Sequence, residues 1–122
     1  MTKNRDIADS ALISVNADQV VTGGTRVTVL DHGNKGTGTV TLDPGDRPIQ
    51  KYTNTGAHTL APGSNYGNYL LDILNSATAG SVTTSGWTKV SGDSFTLTNG
   101  HKFRCHASIT ADGSLLVVTA LQ

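Results

Sequence analysis

Residues 99–106, Asn-Gly-His-Lys-Phe-Arg-Cys-His, hold two of the four histidines and the only cysteine of the chain. A thiol beside an imidazole can be a nucleophile with its base, and a thiolate with imidazoles can hold zinc. Either chemistry needs the side chains to converge. The Asn99-Gly100 pair is a turn signal, and a strand leaving it sends alternate side chains to opposite faces. His101, Phe103, Cys105, Ala107 and Ile109 then share an apolar face, while Lys102, Arg104, His106 and Ser108 share a polar one. Cys105 is parted from His106 and sits where a thiol behaves as a small core residue. No CxxC or HxxxH spacing supplies further ligands. The stretch reads as a strand leaving a turn, with no metal and no cofactor.

Other candidates point the same way. His32 lies beside a glycine loop and His58 in an expected hairpin, both read as solvated. Asp43, Asp46, Asp93 and Asp112 fall in turns, where carboxylates bond nearby backbone. Asp72, within NYLLDIL, reads as an outward strand residue; if buried, it would need Arg104 or Lys51 as a partner. No GxSxG elbow, P-loop or GxGxxG is present, so a non-enzymatic role is expected. Tyr52, Tyr66 and Trp87, with Tyr69, are the candidates for stacking on sugar rings, against the commoner fate of core packing.

The elements that would carry these residues follow from composition. The chain has 18 threonines and no glutamate, which favours extended backbone over helix. At 122 residues it fits one domain. A formal net charge of zero gives no electrostatic support for nucleic-acid binding, and no apolar run is long enough to span a bilayer. The start, MTKNRDIADSALISV, lacks the apolar core of a signal peptide, so an unsecreted product is expected. The expected fold is all-β: an antiparallel β-sandwich or barrel of about eight to ten short strands over residues 23–122, many joined by hairpin-like turns. Residues 1–22 are expected to form an extended or short-helical arm, with any helix confined to residues 5–14.

Two strands are apolar on both faces. Tyr69, Leu71 and Ile73 oppose Leu70 and Leu74; Leu115, Val117 and Leu121 oppose Leu116, Val118 and Ala120. A small antiparallel domain normally leaves one face to water, so contact with identical neighbours is expected at Leu70, Leu74, Leu116 and Val118.

From about Ile49 the order of motifs becomes distinctive: KYTNTGAHTLAP, then NYLLDILNSATAGSVTTSGWTKVSGDSFTLTNGHKF, then a final hydrophobic strand. This stretch covers roughly 60% of the chain and resembles a module of tailed-bacteriophage virion proteins. IADSAL resembles the short N-terminal attachment segments of phage fibres. The resemblance implies a β-structured, often trimeric capsid-decoration or fibre component made in the host cytoplasm, located on the virion, and not an enzyme. The chain has no room for a long fibre shaft, which favours a capsid decoration (cement) or small head-fibre protein. Its partners would be itself, as a homotrimer, and the major capsid protein or another virion protein, with no nucleic acid and no membrane. Attachment is expected through Lys3, Arg5, Ile7, Leu12 and Ile13. The alternative is a tail-fibre or receptor-binding module that recognises host carbohydrate through Tyr52, Tyr66 and Trp87.

Overall fold

The computed structural model describes residues 22–24 and 26–122. The arm residues Lys3, Arg5, Ile7, Leu12 and Ile13, and the short helix expected within residues 5–14, lie outside the described residues. The rest is strand and turn: β1 (Leu30–Lys35), β2 (Thr39–Leu42), β3 (Ile49–Asn54), β4 (His58–Pro62), β5 (Gly67–Asn75), β6 (Val82–Thr84), β7 (Lys89–Gly92), β8 (Lys102–Thr110) and β9 (Gly113–Ala120).

The all-β expectation holds, but the arrangement is not antiparallel. Six strands form one sheet in the order β1-β3-β5-β8-β9-β7, and three form another in the order β2-β4-β6. Of the seven strand pairs only β5–β8 and β8–β9 are antiparallel. The chain alternates between sheets, so β1–β2, β3–β4 and β5–β6 are three successive coils stacked side by side. A parallel neighbour needs a crossover of a dozen or more residues. Here the crossover from β1 to β3 is made of β2 and its two turns. The turn at Thr55-Gly56-Ala57, read as a hairpin, instead carries the chain from one sheet to the other.

Stacking in register puts like positions on top of one another, and the sequence is built for it at the corner that follows β1, β3 and β5. Asn54 and Asn75 are register partners, and both are buried. The Asn54 amide donates to Asn75 Oδ1 at 3.2 Å and to the Gly80 carbonyl at 2.8 Å. Its own oxygen accepts from Gly80 N–H at 3.0 Å and Gly56 N–H at 3.2 Å. Asn75 donates to the carbonyls of Thr96 and Thr98, tying the segment after β7 to the same corner. Asn54→Ala therefore strands several backbone groups at once. At about 1–3 kcal/mol for an unsatisfied buried group, a loss of roughly 3 kcal/mol is expected in urea unfolding. A loss below about 0.5 kcal/mol, the size of an ordinary surface substitution, would show that this corner does not hold the coils together.

The inner faces of both sheets form one core. Val40 and Leu42 of β2 and Leu60 of β4 meet Tyr52, Tyr69, Leu71, Ile73, Phe103, Cys105, Ala107, Ile109, Leu116 and Val118 from the larger sheet. Side chains alternate along β2, with Val40 and Leu42 inward and Thr39 and Thr41 exposed. β1 spans Leu30–Lys35 and takes in the HGNK stretch, while Val27 and Val29 precede it, 45% and 42% exposed.

Candidate functional site

β8 settles the opening stretch. Phe103, Cys105, Ala107 and Ile109 are buried, whereas Lys102, Arg104 and His106 are exposed on the other face. Cys105 has no accessible surface, and burial, with the Asp72 carboxylate adding to it, pushes its thiol from 9.0 up to about 12. A thiol held that high carries almost no thiolate near neutral pH, so it is a poor nucleophile. His101 Nδ1 lies 2.8 Å from Thr96 Oγ1, and His106 is on the opposite side of the sheet from Cys105. Among the described residues no three of His, Cys, Asp and Glu come together as a metal site.

Two histidines expected in solvent have structural partners instead. His58 belongs to β4 and is 4% exposed. Its Nδ1 lies 2.8 Å from the Gly56 carbonyl, which can only accept, so Nδ1 carries the proton. Nε2 is then the acceptor for the Tyr52 hydroxyl at 2.8 Å. His32 is half-buried in β1 and donates from Nε2 to Gln50 Oε1 at 2.7 Å. The missed signal was the register: stacked coils turn positions that look like loop into inward-facing ones.

The proposed sugar-stacking trio is not brought together. Tyr52 is 2% exposed inside the core and cannot meet a ligand. Trp87 is half-buried against the core, with its Nε1–H donating to the Leu60 carbonyl at 3.0 Å. Only Tyr66, between β4 and β5, is open, at 70% exposure. The interface assignment changes as well. Leu116 and Val118 are 0% and 2% exposed within the single chain, so the chain itself covers them and no neighbour is needed. Leu70 and Leu74 do face outward, joined on β9 by Leu115 and Val117.

That outer face of the larger sheet is a candidate surface. One row across it reads Ile49, Leu70, His106, Val117 and Ser91 by register. The next reads Asp31, Lys51, Asp72, Arg104 and Thr119, an alternation of charge across four strands. Arg104 grips Asp72 with two bonds of 2.8 and 3.0 Å, and this pairing raises the Arg104 pKa. Lys51 lies 3.8 Å from Asp31. Both pairs are half-exposed, so each adds at most about 1 kcal/mol. Their main effect is to leave no net charge along the row. Leu74, Leu115 and Leu121, 40–46% exposed, flank it.

The buried acids give a pH prediction. Burial, then Cys105, raises Tyr69 from 10.0 to about 12, and burial first of all carries Tyr52 higher still. In each case the folded state holds its proton longer than the unfolded chain. The stability these groups supply is whole below about pH 9 and is lost as pH rises toward 12. The urea midpoint should hold steady to about pH 9 and then fall, with Cys105→Ala removing the earliest part of the fall. A midpoint unchanged to pH 11 would contradict this.

Comparison of the chain with protein-family models, with curated proteins and with solved structures finds no match.

Proposed function

We propose that this chain is a non-enzymatic structural protein of a tailed-bacteriophage virion, a capsid decoration (cement) or small head-fibre protein that binds the capsid as a homotrimer. The ordered run of motifs from Ile49 to the end, with its resemblance to phage virion modules, carries this reading. An all-strand build supports it. So does the charge-balanced outer face, where Leu70, Leu74, Leu115, Val117 and Leu121 leave apolar surface at the place three copies would meet around a threefold axis. Attachment is assigned to the N-terminal arm, through Lys3, Arg5, Ile7, Leu12 and Ile13.

The test is binding of the purified protein to empty phage capsids beside a panel of host glycans, with its mass measured by light scattering. Trimers that decorate capsids and ignore the glycans are expected. Glycan binding without capsid binding would replace this reading with that of a receptor-binding module.

A further inference from the structure

One edge of the molecule is unfinished in a way that its other end could complete. β6 is the last strand of the smaller sheet and β7 the last of the larger. Between them a groove of about 400 Å³ opens onto the core, lined by Val82, Val90, Phe95, Leu97 and Val118. Val90 and Leu97 are 38% and 57% exposed there. Open strand edges flanking a slot that is polar in part but carries these five apolar side chains fit an added extended segment, whose backbone pairs with an edge while alternate side chains enter the slot.

The chain also contains a segment of that kind. Arg26–Val29 is exposed and has no strand partner among the described residues, and Val27 and Val29 alternate with Arg26 and Thr28. We propose that in the homo-oligomer the Arg26–Val29 segment of one copy lies in the β6–β7 groove of the next, with Val27 and Val29 against Val90 and Leu97. Charge favours the same docking, since the segment carries Arg26 and the groove carries Asp93, both exposed.

Reach rules out the segment's own groove. Val27 stands three residues before Leu30, a span of about 10 Å even when fully extended. β7 lies five strand spacings from β1, about 24 Å at roughly 4.8 Å each. The Arg47 guanidinium, donating to the Thr28 carbonyl at 3.3 Å, ties the segment to its own end of the sheet. A contact between unlike patches closes into a ring when the rotation permits. Such an exchange can run around the same axis on which the outer faces meet.

This inference rests on self-association and not on the phage assignment, and its test needs only the isolated protein. Val27→Cys and Leu97→Cys together, treated with a short bismaleimide, should give covalent multimers up to three chains on denaturing electrophoresis, while neither single variant does. Cys105 is buried and stays silent. Val27→Asp with Val29→Asp should weaken association at least tenfold in light scattering with an unchanged circular dichroism spectrum. Linkage within one chain overturns the proposal, as does a trimer that fails to crosslink. Association unaffected by the two aspartates overturns it too, and if the protein also forms trimers, the homotrimer reading survives that loss. A wild-type protein that stays monomeric defeats both.

Discussion

Gly80→Ala is expected to be the most damaging conservative change at the corner that joins the two sheets. A Cβ at Gly80 would land on the backbone of Gly56 and Ala57 in the preceding coil. A Cβ at Gly56 would in turn meet the Gly36 carbonyl oxygen at 2.7 Å, so three coils stack here by backbone contact at glycine. Backbone cannot swing aside as a side chain does. The coil spacing must widen, and the Asn54 bonds to Gly80 N–H and C=O lengthen with it. Overpacking a well-filled site costs about 1–3 kcal/mol and occasionally more, and the lost hydrogen bonds add to that. A fall of more than about 3 kcal/mol is expected, a large share of the roughly 5–15 kcal/mol typical of a domain. Gly24→Ala is the control, because nothing lies within 4 Å of its Cβ and a surface change of that kind moves stability by about 0.5 kcal/mol or less. Equal urea midpoints for the two variants would show that the corner has slack.

Sequence periodicity identified inward and outward residues well wherever a strand is long and covered on one side. The alternations through Tyr69–Ile73 and Phe103–Ile109 are the clearest cases, and burial follows them closely. What periodicity could not convey was which strand lies beside which. A two-period pattern with a glycine turn is the same whether the chain folds back in one sheet or crosses to another, so Thr55-Gly56-Ala57 read as a hairpin. The sign of stacking in the sequence is the recurrence of Asn at the end of β3 and β5, Asn54 and Asn75, each followed by a glycine corner. That signal is visible only once strands about twenty residues apart are set side by side, as Leu30 and Gln50 are. The apolar strand Leu115–Leu121 misled for a related reason. Both its faces suggest a neighbouring molecule, yet Leu116 and Val118 are already buried within the single chain. Only the face bearing Leu115 and Val117 still has surface to give a partner.

That division predicts opposite outcomes for adjacent residues. Leu116→Asp should abolish folding. Leu116 is 0% exposed and packs in the common core of both sheets, and no cationic side chain is among the buried residues there to meet a new carboxylate. Losing a buried leucine alone costs about 2–5 kcal/mol, and an unpaired buried charge costs several more or forces the carboxylate to take up a proton. The sum rivals the whole stability of a small domain. Leu115→Asp sits one residue away on the outer face, 40% exposed, opposite Lys89 on β7 and Ser108 on β8. In the isolated chain its charge stays in water, so the circular dichroism spectrum and urea midpoint should match the wild type within about 0.5 kcal/mol. If three copies meet on this face, the same carboxylate is desolvated three times around the axis. Association should then weaken by at least tenfold, about 1.4 kcal/mol, while the monomer remains folded. Size-exclusion chromatography with light scattering separates the cases. A folded Leu116→Asp protein would mean that the sheets do not share a core. A Leu115→Asp protein with undiminished association would move the copy-to-copy contact off the outer face.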